Sequence, residues 1–121
     1  MILHLINYIA SHFYQMEVFR KVDNSSSIRR ILNQNHIPCG RIMQISIAHF
    51  QPFQSCPKHQ HFDLFEVFIV KSGSISVVVN QTQIDLGTGD VLLINPKNDH
   101  ELHNRTDILC EMLVLGIAST C

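Results

Sequence analysis

His59-Gln60-His61-Phe62-Asp63-Leu64-Phe65-Glu66-Val67-Phe68-Ile69-Val70-Lys71-Ser72-Gly73 is the stretch on which the reading of this chain turns. Imidazole nitrogens and a carboxylate oxygen suit borderline divalent metals, and the stretch supplies two of the first and one of the second. His100 follows a second glycine-led strand that begins at Gly89. With it the set becomes three histidines and one glutamate, which leaves octahedral positions open for water or substrate.

The spacing has a mechanical basis. Alternate residues of a strand share a face, so His59 and His61 are expected side by side on one strand. Glu66 comes after the gap Phe62 to Phe65 and opens the apolar run Val67 to Val70. A turn is expected to bring it back opposite the histidines, so that one hairpin carries all three. Gly73 suits a tight hairpin into the next strand, Ile75 to Val79.

These residues resemble the first motif of the cupins: His-x-His, three or four residues, Glu, six residues and Gly. His59, His61, Glu66 and Gly73 match it, while Phe53 stands where a glycine usually opens the motif. The second cupin motif is matched by Gly89, His100 and Asn104, with Asn95 in place of its proline and Lys97 in place of its glycine. Pro96 stands one position late. The resemblance covers roughly Arg41 to Ile117, and its two-part spacing is far more specific than a single short motif. It implies a jelly-roll β-barrel with a metal held by His59, His61, Glu66 and His100.

Composition agrees with one such unit. The 121 residues, 45% of them hydrophobic, suffice for one core and leave no room for a second domain. We read residues 1–15 as an N-terminal extension and 16–121 as a single cupin domain. Nine basic against ten acidic residues give a net charge of −1, and no Lys/Arg cluster forms beyond Arg20-Lys21 and Arg29-Arg30, so nothing points to a nucleic-acid footprint and no nucleic-acid partner is expected. Cys39, Cys56, Cys110 and Cys121 show no paired spacing and no export signal precedes them, so free cytosolic thiols and a cytoplasmic location are expected. Cys56, three residues before His59, reads as a small packed residue, with metal ligation as the alternative.

Ile2, Leu5, Ile6, Ile9 and Phe13 fall at helical spacing, in a run too short to span a bilayer. A short amphipathic helix packing on the barrel or a partner, an upstream tail, and a membrane-surface helix are the three readings. The last is disfavoured because the polar face carries histidine and asparagine, not lysine, and no membrane partner is expected. Beyond it, Val18 to Val22 reads as an edge strand, and Asp23 to Ser27 as a polar loop able to cap a short helix through Leu32. Arg41 to Phe50 alternates as a strand, Pro52 and Pro57 break the segment between it and His59, and Thr82 to Leu86 pairs back on Ile75 to Val79. Val91 to Ile94 leads towards His100, and Ile108 to Ile117 closes the sheet. Short apolar strands with glycine and asparagine turns make the chain all-β, a jelly roll with a short N-terminal helix or extension. Its exposed edges need cover, which the family often supplies as a homodimer.

The remaining histidines divide. His4, His12 and His36 read as solvated or hydrogen-bonded residues, and His49 is as consistent with an outward as with a pocket position. His103 follows His100 by three residues and is a candidate for a donor behind the metal ligands, or for a general base. Glu66 is read as a ligand that can also take a substrate proton. Tyr8 and Tyr14 lie ahead of the barrel, which disfavours a tyrosine base. Arg41, Gln44, Ser46, Gln54 and Glu111 are the polar candidates for the pocket. Met43, Ile45, Ile47, Phe68, Val70, Leu93 and Met112 are its candidate apolar wall, equally explained by core packing.

The resemblance implies a metal-dependent cupin acting on a small molecule. The first expectation is a mononuclear non-haem metalloenzyme, dioxygenase-like or a metal-assisted isomerase, cyclase or lyase. It would hold one divalent ion per chain, Fe(II) first, with Mn, Ni, Co or Zn as alternatives. The scarcity of lysine and arginine ranks sugar-phosphate isomerisation below oxygenation. The competing reading is a cupin that binds metal and a small ligand without turnover.

Overall fold

The computed structural model describes residues 15–21 and 31–121, so the expected N-terminal helix and most of the loop and helix read between Asp23 and Leu32 lie outside the described residues. All regular structure among the described residues is β-strand. In chain order the strands are β1 (Met16–Phe19), β2 (Gly40–Phe50), β3 (Ser55–His59), β4 (Leu64–Ser72), β5 (Ser74–Val79), β6 (Thr82–Gly87), β7 (Val91–Ile94), β8 (His100–His103) and β9 (Cys110–Ser119). They form two antiparallel sheets, one in the order β1-β7-β4-β9-β2 and the other β3-β8-β5-β6. Each sheet is hydrogen-bonded within itself, so the jelly roll is two facing layers and not a continuously bonded barrel.

The inner faces of both sheets enclose the main core. Phe68 and Val70 on β4, Leu92 and Ile94 on β7, Met112 on β9, Val77 and Val79 on β5 and Leu102 on β8 are all buried there. Val67, Val91 and Leu93 form a second cluster on the outer face of the five-stranded sheet, beneath Phe19, Ile31, Leu32 and Ile37. β4 and β7 are therefore buried on both sides, which is why they read as unbroken apolar runs. The β2 end of that outer face is open instead, with Ile42, Ile45 and Ile47 each more than half exposed.

This layering separates the expected pocket wall. Phe68, Val70 and Met112 face inward. Ile45 and Leu93 lie in one cross-strand row, Ile45–Leu115–Val67–Leu93, on the outer face, and Met43 and Ile47 are exposed, so these four leave the wall. Both faces of β2 carry apolar residues, and alternation alone does not tell which one looks inward.

Three local expectations change. β3 and β4 belong to different sheets, so His59, His61 and Glu66 sit at a corner between layers and not on one hairpin. The same holds for Gly73, which carries the chain from β4 in one sheet to β5 in the other. Its φ of +80° and the 2.6 Å that would separate an added Cβ from the Leu109 carbonyl require glycine. Pro57 lies inside β3 and does not break it. That strand is a sheet edge with an irregular register between Cys56 and His59, a place where the missing N–H is tolerated.

The β5–β6 hairpin is as expected, with Ile75 opposite Leu86 and Val79 opposite Thr82. Asn80 and Gln81 between them both have positive φ, as a two-residue turn matching the sheet twist requires. The first strand begins earlier than expected, at Met16, and ends at Phe19 because Arg20 and Lys21 turn away to bond Asp90. The last runs from Cys110 to Ser119. It starts late because the buried Asn104 amide holds the preceding loop through the Phe50, Gln51 and Ile108 carbonyls.

The cysteines correct the expectation of four free thiols. Cys39 and Cys121 form a disulfide across 82 residues of sequence, with Cα atoms 5.4 Å apart, where Gly40 pairs with Ser119. Cys56 and Cys110 are free.

Candidate metal centre

The corner between the two sheets brings His59, His61, Glu66 and His100 together, one donor atom from each lying within 4.8 Å of all the others. His59 ends β3 and pairs directly with His100 at the start of β8, which sets their rings 4.3 Å apart. His61 lies just beyond β3, its ring 5.3 Å from that of His59. Glu66 reaches across from β4 in the opposite sheet. Its Oε1 lies 3.0 Å from His61 Nε2 and 2.8 Å from His100 Nε2.

The rings are turned by their backbones. His59 Nδ1 lies 2.9 Å from the Pro57 carbonyl and His100 Nδ1 3.0 Å from that of Asn98. A carbonyl only accepts, so each Nδ1 carries its hydrogen and each Nε2 is the lone-pair nitrogen aimed at the centre. The turn before His100 is itself held by side chains. Asn98 Nδ2 donates to the Asn95 and Pro96 carbonyls, Asn80 Nδ2 donates to Asn98 Oδ1 at 2.7 Å, and the Asp99 N–H donates to Asn80 Oδ1. Lys97, where the family pattern has glycine, takes a φ of +67°, and its N–H donates to the His61 carbonyl at 2.7 Å. The turn thus keeps the conformation a glycine would adopt freely, and asparagine side chains fasten it. No spacing rule would have singled out Asn80 or Asn98.

Glu66 Oε1 and His100 Nε2 are both buried, and neither has a hydrogen-bond partner. With Nδ1 carrying the hydrogen of the neutral ring, Nε2 and Oε1 face each other at 2.8 Å as two acceptors, which only a proton or a cation between them satisfies. Two buried polar atoms left in this way are costly unless something else satisfies them, and a divalent cation between three imidazoles and one carboxylate would do so. The residues present therefore fit a metal. Burial pushes the Glu66 carboxyl up, but the imidazoles of His100, His61 and His59 outweigh it and hold the group below the usual carboxylate range. Burial pushes His100 down, but contact with Glu66 and the Asn98 carbonyl raises it overall.

The other candidates fall elsewhere. Cys56 packs against the core, and burial, with Glu66 adding, pushes its thiol up, so it stays protonated. His103 lies on the opposite face of β8 from His100. There its Nδ1 is 2.7 Å from Ser55 Oγ and its Nε2 3.5 Å from Glu101. His49 and Lys71 pair with Glu111 on the outer face. His36 is hydrogen-bonded, its Nδ1 accepting from the Asn33 N–H. Gln54 is used in the turn after β2, where it accepts from the Gln51 N–H. Gln44 and Ser46 are bonded to each other at 2.9 Å on β2.

Residues 46–116 match the family described as "Cupin domain". The chain belongs to the cupin family. Its fold is similar to that of a Thermotoga maritima protein described as a predicted oxalate decarboxylase, at 21% identity and a TM-score of 0.61 over 64% of this chain and 67% of that one. The cupin domain of Schizosaccharomyces pombe Cnp3 is similar over 88% of this chain and 67% of its own, at 13% identity and a TM-score of 0.62. A cupin-superfamily sugar phosphate isomerase from Silicibacter pomeroyi is 23% identical, with a TM-score of 0.55 over 60% of this chain and 48% of that one. At these identities the likeness is one of fold. No curated protein matches the sequence. Among the described residues no helix is long and apolar enough to cross a membrane.

Proposed function

We propose that this cupin is a mononuclear non-haem metalloenzyme acting on a small molecule, with one divalent ion, Fe(II) first, held by His59, His61, Glu66 and His100. The observation that carries the reading is the buried pair Glu66 Oε1 and His100 Nε2, two acceptor atoms 2.8 Å apart that a cation between them would satisfy. When bound, the ion supplies Lewis acidity or access to O2 chemistry. The chain's own residues do the rest. Glu66, held ionised, stays a ligand or takes a proton from the substrate at its carboxylate oxygen. His61, whose side chain is 37% exposed against 2% for His100, marks the side on which substrate enters. Phe68 and the core behind it exclude water from the far side.

Metal analysis of protein purified without chelator, followed by O2 consumption with catechols, thiols and diketones, tests this. The expected result is one ion per chain and turnover with at least one class. Tight binding of a ligand that survives loss of metal in a His59→Ala/His100→Ala variant would favour the alternative, a cupin that binds without catalysis.

The chain is further proposed to act as a homodimer through the outer face of β2. Ile42, Ile45 and Ile47 are 57%, 61% and 57% exposed there, beside an unpaired strand edge. Light scattering on Ile45→Lys should show a monomer with its metal content intact. A wild-type monomer at tens of micromolar would remove this. A cytoplasmic location is proposed with it, and alkylation before reduction followed by intact mass tests it: a Cys39–Cys121 disulfide found intact in the cell would count against that location.

A further inference from the structure

The geometry points to a carboxylate-binding wall on β2 facing the metal centre, which makes the substrate a small acid that chelates metal at one end and presents a carboxylate at the other. This rests on the four-ligand metal centre proposed for the chain and names its substrate class.

β2 changes character along its inner face. Phe50 and Ala48 pack on the core. Beyond them the same face carries Ser46, Gln44 and, past the irregularity at Met43, Arg41. Register fixes where these residues look. Gln44 lies across from Gly116, and Gly116 lies across from Glu66, so the three form one row. A Cβ added to Gly116 would meet Gln44 Cβ at 3.7 Å and Leu64 Cδ1 at 3.8 Å, which places Gln44 and Leu64 on the face of that row. Arg41 pairs with Ala118, and Ala118 with Leu64, so Arg41 shares the face too.

Gly116 is the reason the wall can reach the metal. Between Glu66 and Gln44, two strand spacings or roughly 10 Å, the intervening position has no side chain. The middle of that row therefore carries no side chain of its own, and only Leu64 Cδ1 borders it between the Glu66 carboxylate and the polar side chains of the edge strand. Gln44 Nε2 donates to Ser46 Oγ, so the Ser46 hydroxyl keeps its own proton to donate outward. Arg41 presents a planar fork suited to a carboxylate, and one arginine is too little for a phosphorylated sugar. Glu111, which the sequence left equal with these three, is excluded because it pairs with Lys71 on the other face.

Two hydroxamates of matched length test the proposal on Co(II)-loaded protein: the monohydroxamate of succinic acid, and butyrohydroxamate, which has a methyl group where the first has a carboxylate. Titration followed in the visible Co(II) spectrum should show the acid binding at least about 10-fold tighter, as a charge-assisted pair implies. Arg41→Gln should abolish that preference, with Co(II) content and butyrohydroxamate affinity unchanged. Gly116→Val should weaken both ligands together by filling the middle of that row. Equal affinity of the two hydroxamates for the wild type, or a preference that survives Arg41→Gln, overturns the inference while leaving the metal reading intact. Failure of the wild type to bind Co(II) at all sinks the metal reading and the inference with it.

Discussion

Asp90 and Glu66 are both largely buried carboxylates, with side chains 12% and 13% exposed, and they are held in opposite ways. Asp90 accepts from the Gly87 N–H at 2.9 Å, the Lys21 N–H at 2.8 Å and Arg20 Nη1 at 3.0 Å. It ties the β6–β7 turn to the end of β1. Glu66 has imidazoles crowding one oxygen and a hydrogen bond from none of them to that oxygen. Burial therefore does not mark a functional carboxylate. A fully satisfied one is a structural clamp, and one whose partners converge without bonding it is arranged for something that is not protein.

The largest expected effect is an exchange of phenotypes between the two. Glu66→Gln should weaken Co(II) or Zn(II) binding more than about 100-fold, beyond the 10- to 100-fold that loss of a partner behind a ligand causes. At pH 8, above the ordinary imidazole value of about 6.5, metal-free stability should move by less than about 1 kcal/mol, since no hydrogen bond to Oε1 is lost. Asp90→Ala should do the reverse, with metal affinity kept and stability lowered by roughly 2 to 4 kcal/mol as three donors lose their acceptor. Chelator competition and urea unfolding on the same two proteins measure both quantities. Equal metal affinities in the two variants would erase the distinction.

The next effect is in pH. Burial pushes the Asp90 carboxyl up, but the Gly87 and Lys21 N–H groups and Arg20 outweigh it, so its folded pKa lies below the unfolded value of about 3.9. A depressed carboxyl contributes stability that is fully present above the unfolded value and is lost as pH falls through the folded one. Wild type should therefore lose this part of its stability in acid, and Asp90→Ala should not. His100 has the opposite sign. Raised in the metal-free protein, it contributes stability below its unfolded value near 6.5 that disappears as pH rises through the folded one. The same proton competes with metal, so the increase in melting temperature on adding Zn(II) should grow with pH across that range. An increment flat in pH would mean that His100 is not a ligand.

Much of this was legible in the sequence for reasons that also set its limits. The all-β class follows from strand-length apolar runs and their turns, and the β5–β6 pairing from two such runs separated by Asn80-Gln81. The four converging side chains were legible because their types and two separate spacings coincide. Which sheet a strand joins was not, because periodicity reports that residues form a strand and says nothing of its neighbour. Hence β3 and β4 read as a hairpin although the chain crosses between layers there. The Cys39–Cys121 bond joins residues 82 positions apart and leaves no local trace. Lys97 reads as a departure from the pattern, yet its positive φ shows that the backbone kept the shape and that Asn98 and Asn80 took over the fastening. Ile45 and Ile47 looked like pocket residues because an exposed aliphatic row and a buried one have the same sequence.

Asp85 completes the series at the small end. Ser76 Oγ donates to it at 2.7 Å and Gln83 Nε2 at 3.0 Å, and these bonds hold its carboxyl below the ordinary range. It has donors of its own, as Asp90 does, but it stands on the exposed outer face of the four-stranded sheet. Water there replaces any bond that is removed. Asp85→Asn should accordingly leave the melting temperature and the metal affinity nearly unchanged, despite hydrogen bonds as short as those at Asp90. A loss of stability matching that of Asp90→Ala would show that bond geometry alone decides what a carboxylate contributes. The expected null result assigns the difference between Asp85 and Asp90 to burial, and that between Asp90 and Glu66 to whether the chain itself supplies the bonding partners.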